Sequence, residues 1–575
     1  MTASAWLCFA LCAALPCAAQ ETAAGRTSSS PLAPRPSTRL DPAQPATSRR
    51  SVEAGVERAA PPPTDVTHPA TWGGGRLRAV GGALVDARGR HVALRGVNAV
   101  EKKAPFVPSA RGPFDPERSL GADDAKLLTG WGFNLVRLGV LWQAHEPRRG
   151  RYNGTYLDAV EEVVDALWTH SGGRLRVVLD GHQDLLSPKF CGEGVPDWAA
   201  IPKPGTPAFP SPQPVHIPAD PVTGYPDAVA CQRAAGVAFS RWYLTHAAGS
   251  AWQNLYNDAA LVTAFAEHWH RVATRFATHP AVIGYELLNE PWPGDVLKDP
   301  GLALRPGVAD RTLLGPMYDA AARAIHAADP TALVLFQPSL TEATLGLPAG
   351  FEGPPGEASE KERGRSAMSG HVYCGSDPKG APRPGPRTCK AADAALLSSL
   401  RRDAERAGAP LIVTELGGLR VDGPPPVEGG DVGSRGQGNG ADEDGDGRVV
   451  LDALFGDIEA RHGSWVWWQY KHFDDITTAV GATESLFDPA TGAVKRPLLA
   501  ALTRTFAPAV AVATDDNSAT DANTAAISQS FDPSSGIYRL AFDAKAGGET
   551  EVYVHHGIHY PSGYQVEVIG AAATW

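Results

Sequence analysis

The chain is short of cysteine, has no excess of positive charge and contains no apolar run long enough to span a bilayer. Its 575 residues carry 52 Lys and Arg against 63 Asp and Glu, a formal net charge of −11. That balance lacks the electrostatic footprint of a nucleic-acid binder and disfavours a polybasic anchor on an anionic membrane. The expected partner is uncharged or small. The one concentrated apolar stretch, Trp6 to Ala19, falls below the about 20 residues a membrane span needs. It ends in Cys17-Ala18-Ala19, the small-residue pattern of a signal-peptidase site, although Met1 to Ser4 carry no Lys or Arg. Residues 1–20 therefore read as a cleaved export signal, which would make the protein secreted or periplasmic. A short N-terminal anchor is the alternative, and Pro16 weakens a lipoprotein reading of Cys17.

Of the seven cysteines, Cys8, Cys12 and Cys17 leave with the signal. Cys191, Cys231, Cys374 and Cys389 remain, an even number suited to an oxidising compartment. Local pairing of Cys191 with Cys231 and of Cys374 with Cys389 would close two loops after barrel strands, and four free thiols is the alternative. The absence of Cys-x-x-Cys spacing argues against a zinc site. Asp442-Glu443-Asp444-Gly445-Asp446-Gly447 opens like a calcium loop. Its twelfth position, however, is Ala453 rather than a bidentate acid, so a solvated acidic loop is the preferred reading of 442–453. No metal and no cofactor is expected.

Residues 21–72, rich in Pro, Ser, Ala and Thr, cannot bury enough surface to offset their chain entropy and read as a disordered linker. Leu77 to Asp86 suggests a hairpin plugging a barrel floor. Eight strand candidates follow: His91 to Asn98, Asn134 to Gly139, Arg174 to Asp180, Val282 to Asn289, Ala332 to Gln337, Gly370 to Tyr373, Pro410 to Glu415 and Trp465 to Gln469. Helical spacing lies between them, clearest over Tyr156 to Trp168, Ala259 to Thr278 (capped by Asp258), Met317 to Ala327, Ala391 to Arg406 and Leu451 to His462. Strand and helix alternating in this way predict an α/β chain with a (β/α)8 TIM barrel over 73–506; a doubly wound open sheet is the structural alternative. Three insertions, Ile201 to Pro226 with its nine prolines, Gly353 to Ala367 and Val421 to Gly447, are expected at the strand C-termini. Residues 507–575, with alternating runs at Gly536 to Phe542, Glu551 to Val554 and Tyr564 to Val568, predict a C-terminal β-sandwich domain.

Two carboxylates carry the chemistry. Glu290, in Tyr285-Glu286-Leu287-Leu288-Asn289-Glu290-Pro291-Trp292, and Glu415, in Leu411-Ile412-Val413-Thr414-Glu415-Leu416-Gly417, each close an apolar β-type run. In a parallel barrel both would face the C-terminal mouth. Retaining hydrolysis of a glycoside needs one acid to protonate the leaving oxygen and another, about 5 Å away, to attack the anomeric carbon. Glu290 is the expected acid/base, with Trp292 as an apolar wall that raises its proton affinity, and Glu415 the expected nucleophile. Asn289 is placed to meet the sugar 2-hydroxyl. Trp465 and Trp467 are expected in the core.

These motifs resemble family 5 of the glycoside hydrolases and, within it, the endoglycoceramidases and related glycosylceramidases, over about residues 75–575. Asn289-Glu290-Pro291-Trp292 is similar to the family's acid/base signature, Thr414-Glu415 to its nucleophile strand, and Arg137 to the strand-2 arginine that orients the nucleophile. The subgroup resemblance lies in Leu179-Asp180-Gly181-His182-Gln183-Asp184-Leu185 and in Gly96-Val97-Asn98-Ala99-Val100-Glu101-Lys102. It implies sugar contacts from Lys102, His182 and Asp184, with His371 beside Tyr373 and Tyr373 hydrogen-bonding the nucleophile. It further implies Trp468 beneath the reacting sugar and Trp252 as a sugar platform. The implied activity is cleavage between a glycan and a lipid-type aglycone such as a glycosphingolipid. An exo-acting β-glycosidase on aryl, steryl or disaccharide glycosides, or a β-glucanase or mannanase, would share the same chemistry. A non-catalytic carbohydrate- or lipid-binding barrel is disfavoured because both acids are present. Transient contact with membranes or micelles and a monomeric state complete the expectation.

Overall fold

The computed structural model describes residues 76–235, 239–357, 364–376, 381–421, 447–473, 475, 484–513 and 527–569. The expected export signal and linker lie outside the described residues, as do 422–446, with the acidic start of the calcium-like motif, and 358–363. Eight strands close into a parallel barrel: β1 Arg95–Ala99, β2 Leu135–Gly139, β3 Arg176–Asp180, β4 Val282–Glu286, β5 Leu333–Phe336, β6 Ser366–Val372, β7 Leu411–Gly417 and β8 Ser464–Trp468. Each pairs in parallel with the next, and β8 closes on β1. Short β-branched and leucine runs suit such strands, since side chains on one face fill the barrel and those on the other meet helices.

The covering helices include Gly154–His170, Ala259–Phe276, Gly315–Ala328, Pro386–Ala407 and Arg448–Glu459, close to the ranges read from apolar spacing. Asp258 Oδ1 accepts from the backbone N–H of Ala260 at 2.8 Å and Leu261 at 3.3 Å, satisfying donors that the first helical turn leaves unpaired. Among the described residues no helix is long and apolar enough to cross a membrane. Both local disulfides form, Cys191–Cys231 with Cα atoms 5.8 Å apart and Cys374–Cys389 at 5.3 Å.

The floor hairpin pairs Arg78–Val80 with Ala83–Val85, and Leu77 and Leu84 join one buried cluster with Leu94, Leu135, Ile283 and Ile412 of the barrel. Apolar packing thus closes the N-terminal end and leaves the C-terminal strand ends for chemistry. His91–Val92, merged with β1 in the sequence reading, instead pairs with Phe506–Val510. The C-terminal β domain therefore shares a five-stranded antiparallel sheet with the floor hairpin, while Ser528–Asp532 and Ile537–Ala541 form a second, two-stranded sheet. Tyr564 to Val568, read as a strand, forms no ladder among the described residues. Arg504 ties this domain to the barrel helices: Nε donates to Glu459 Oε1 and Oε2 at 2.9 and 3.0 Å, Nη1 to Asp452 at 3.0 Å, and Nη2 to Phe531 O at 3.1 Å.

One insertion lies at the other end from the one expected. Ser366 already begins β6, and Gly364 O accepts from Ala79 N of the floor hairpin at 2.9 Å, so Gly353 to Ala367 leads into the barrel floor. The segment follows helix Leu340–Leu345 and enters a strand, which fixes its side; small residues such as Ser366 and Ser369 hid the first half of β6. The proline-rich Ile201 to Pro226 follows β3, on the expected side.

Candidate active site

One arginine gathers the acids at the strand ends. Arg137 of β2 is fully buried, and its Nη1 donates to Glu415 Oε1 at 2.7 Å and Asn98 Oδ1 at 2.9 Å. Nε donates to Glu286 Oε2 at 2.6 Å, Nη2 to Asn289 Oδ1 at 2.9 Å, and Nη2 also lies 3.0 Å from Asp180 Oδ1. Burial opposes the guanidinium charge, but Asp180, Glu286 and Glu415 outweigh it and raise its pKa above the ordinary value. The planar fork meets several oxygens at once, which a lysine could not do.

Glu415 and Glu290 are delivered by local irregularities rather than by ideal strands. The register of β7 shifts between Val413 and Glu415 against β6 and between Val413 and Leu416 against β8. Such a bulge re-aims the side chain that follows it. Tyr373 OH donates to Glu415 Oε2 at 2.9 Å, so each carboxylate oxygen has a donor. Glu290 lies four residues past the end of β4, with φ +42°, a conformation uncommon for a residue with a side chain. Its neighbours hold it there: Glu290 N donates to Gln337 Oε1 at 2.8 Å, Gln183 Nε2 to Asn289 O at 2.7 Å, and Asn289 N to Gly181 O at 3.0 Å.

His371 of β6 stands between the two acids, with Nδ1 2.8 Å from Glu290 Oε1 and 3.5 Å from Glu415 Oε2. Single ligand-type atoms of Glu290, His371 and Glu415 all lie within 4.8 Å of one another. That separation matches the about 5 Å of a retaining pair and is shorter than the about 6.5–9.5 Å of an inverting one. The trio has donor types a cation could use, yet Arg137 and Tyr373 already occupy both oxygens of Glu415.

Burial raises the proton affinity of both glutamates, but unequally. For Glu415 the Arg137 guanidinium opposes that rise, as would a charged His371. For Glu290 the negative charge of Asp184 adds to burial, His182, Lys102 and Arg137 oppose them, and the carboxyl is pushed up to about 7. Glu290 is thus the group able to hold a proton near neutrality. His371 is pushed below its usual range by burial, which keeps the imidazole neutral. Trp292, expected as the apolar wall, is fully buried and stacks on Tyr243 at 4.9 Å.

Beside the pair lies a second polar cluster. His182 Nδ1 is 2.7 Å from Asp180 Oδ2 and its Nε2 3.4 Å from Asp184 Oδ2. Burial disfavours its charge, but Asp180 and Asp184 overcome this and lift it to about 10. Lys102 Nζ contacts Asp184 Oδ2 at 2.5 Å and Asp475 Oδ1 at 3.1 Å, and sits 4.9 Å from the ring centroid of Trp468. Trp468 stacks on His182 at 5.4 Å, while Trp465 and Trp467 are fully buried, as the sequence reading placed them.

Lys102, Arg137, His182, Asp184, Asn289, His371, Tyr373 and Trp468 are thus brought together around Glu290 and Glu415. Trp252 is not: it is fully buried in helix His246–Asn257 and stacks on Tyr256 at 5.7 Å. The amide of Asn289 is engaged by the protein, accepting from Arg137 and donating to Gln183 O at 3.1 Å. Sequence reasoning missed Glu286, Asp180 and Asn98 as partners of Arg137, and Asp475 as a partner of Lys102. The available signal was a polar residue ending an otherwise apolar strand, as Asp180 and Glu286 do; Asp475 carried none.

Two acids at retaining separation, one bridged to arginine and tyrosine and the other holding a proton near neutrality, define a retaining glycoside hydrolase. The model for cellulase, glycosyl hydrolase family 5, matches residues 85–474, and that for the family's C-terminal domain matches 519–575. The chain belongs to glycosyl hydrolase family 5. It is 33% identical to an endoglycoceramidase of Cyanea nozakii over 86% of each chain. It is 29% identical to endoglycoceramidase I of Rhodococcus hoagii over 87% of this chain and 83% of that one. The fold is similar to that of endo-glycoceramidase II from Rhodococcus sp. in its ganglioside GM3 complex, with a TM-score of 0.57, 22% identity, and 84% of this chain and 91% of that one covered.

Proposed function

We propose that this enzyme is an endoglycoceramidase, hydrolysing the β-glycosidic bond between an oligosaccharide and ceramide. The observation that carries the chemistry is the Glu290, His371 and Glu415 constellation within 4.8 Å. The substrate class rests on similarity to endoglycoceramidases along most of both chains. Glu415, oriented by Arg137 and Tyr373, attacks the anomeric carbon as Glu290 gives its proton to the departing ceramide oxygen. The bond from carbon to that oxygen breaks and a covalent glycosyl–Glu415 ester forms. Glu290, now ionised, takes a proton from water, which attacks the same carbon, displaces Glu415 and leaves the sugar with its original configuration. Asn289 and Trp468 contact the reacting sugar, and Lys102, His182 and Asp184 hold it and the sugar beyond.

Incubation with ganglioside GM3 in detergent, with released products read by mass spectrometry, tests the proposal. Release of the intact trisaccharide and ceramide supports it. Release of monosaccharide alone would assign exo-action, and hydrolysis of soluble β-glucan or mannan without glycolipid cleavage would assign a polysaccharide hydrolase. Glu415→Gln should abolish turnover, whereas Glu290→Ala should recover partly on substrates with good leaving groups, which need no proton. Export under an N-terminal signal belongs to the same reading, and two disulfides suit an oxidising compartment. Every site residue comes from one chain, so a monomer suffices, meeting its lipid substrate at a membrane or micelle surface.

A further inference from the structure

The loop after β3 delivers one more acid to the Lys102 cluster. Gly192-Glu193-Gly194 lies against the strand-3 extension as an isolated antiparallel bridge: Glu193 N donates to Asp184 O at 2.9 Å and Asp184 N to Glu193 O at 3.1 Å. Both flanking residues have to be glycine. A Cβ on Gly192 would meet Asp184 O at 1.8 Å, and one on Gly194, whose φ is +116°, would meet Gln183 Cβ at 2.3 Å. Gln143 locks the far side, its N–H donating to Gly194 O at 2.8 Å and its Oε1 accepting from Gly194 N at 2.9 Å. The Cys191–Cys231 disulfide anchors the near side. Pressed in this way, the Glu193 side chain is 3% exposed and lies 3.9 Å from Lys102 Nζ, yet neither of its carboxyl oxygens has a hydrogen-bond partner among the described residues.

A buried carboxyl without a hydrogen bond costs stability, so a tightly built loop that maintains one calls for a functional account. We propose that Glu193 is a positioning residue for glycone recognition: the Gly192-Glu193-Gly194 pinch places its carboxyl behind Lys102, fixing the ammonium against Asp184 and over Trp468 where both meet the second sugar. The inference rests on the reading of Lys102 and Asp184 as sugar contacts. The charged groups facing Glu193 are Lys102, Asp184, His182 and Asp475. Burial and the charge of Asp184 keep the Glu193 carboxyl protonated well above the usual range. Neutral Glu193 leaves the cations Lys102 and His182 facing the anions Asp184 and Asp475. An ionised Glu193 would add uncompensated buried charge and draw Lys102 away from Asp184.

The test compares full-length wild type, Glu193→Gln and Glu193→Ala on an aryl β-lactoside and an aryl β-glucoside, with kcat and KM measured below and above neutrality. In Glu193→Ala the lactoside-to-glucoside ratio of kcat/KM should fall about tenfold, equivalent to about 1.4 kcal/mol, with the loss in lactoside KM. Glu193→Gln, isosteric with the protonated acid, should keep the wild-type ratio and its pH dependence below neutrality. An unchanged ratio in Glu193→Ala, or equal losses on both substrates in both variants, overturns the inference. Wild type with the same kcat/KM on lactoside and glucoside overturns instead the reading of Lys102 and Asp184 as contacts to the second sugar.

Discussion

Replacing Tyr373 by Phe isolates the electrostatics of the nucleophile. The hydroxyl donates to Glu415 Oε2 at 2.9 Å, while Arg137 holds Oε1 at 2.7 Å, so the variant loses one of two donors and keeps the carboxylate's orientation. A hydrogen bond to an ionised acceptor is worth about 1.5–3 kcal/mol. At about 1.4 kcal/mol per pKa unit, that equals a shift of about 1–2 units. The bond favours the charged form, so its loss raises the proton affinity of Glu415, and the acid limb of kcat/KM must move upward. The alkaline limb, assigned to Glu290 at about 7, should stay in place. The bell therefore narrows from its acid side, and its maximum falls as the two limbs approach. The assay is kcat/KM against pH on an aryl glycoside, which reports the free enzyme's essential acid and base. A uniform loss at every pH, with both limbs unmoved, would falsify the argument and leave Tyr373 a role in shape alone.

Three further outcomes follow from the same contacts. The Glu290 side chain is 17% exposed and its carboxyl is raised to about 7, so its stabilising contribution is complete below its unfolded pKa and is lost as pH rises through about 7. Glu290→Gln should abolish that loss, gaining up to about 2–3 kcal/mol over wild type above neutrality and little below pH about 4. Calorimetry at both ends showing the reverse order would contradict it. Removing the Cys191–Cys231 bond, whose partners are 40 residues apart, by a double Ser substitution should cost about 4 kcal/mol in denaturant unfolding. Arg504→Ala removes both hydrogen bonds to the buried Glu459, leaving Arg95 Nε 3.8 Å away as a facing cation, and should destabilise by about 3 kcal/mol; a chemical-denaturation loss under about 1 kcal/mol would show that the C-terminal domain is held otherwise.

The barrel was legible because runs such as Leu135–Gly139 and Arg176–Asp180 are short, apolar and separated by long amphipathic helices. The two glutamates were legible because each is a charge at the end of such a run. Of what surrounds them, Arg137, His371 and Tyr373 were legible through the family resemblance, but the partners of Arg137 were not. Asp180 and Glu286 end their strands as Glu415 nearly ends its own, but only barrel closure brings all three to one guanidinium. A tryptophan's role depends on which way its helix is turned, and Trp252 faces Tyr256 where an apolar platform toward sugar was expected. The five-stranded sheet escaped because His91–Val92 and Phe506–Val510 are paired across nearly the whole barrel, and local alternation carries no information about a distant partner.

The division of labour between the two glutamates follows from where Arg137 can reach. A buried guanidinium is tolerated only if acids surround it, and its fork is used up by Glu415, Glu286, Asp180 and the amide oxygens of Asn98 and Asn289. Glu415 is inside that circle and gains direct charge compensation. Glu290, turned out of the strand by its left-handed backbone, is outside it and meets a neutral His371 instead. Asp184 adds negative charge on its other side. Two chemically identical side chains within one sugar's width therefore differ in proton affinity because one backbone irregularity aims toward the arginine and the other away from it. That difference lets one act as a nucleophile while the other holds the proton.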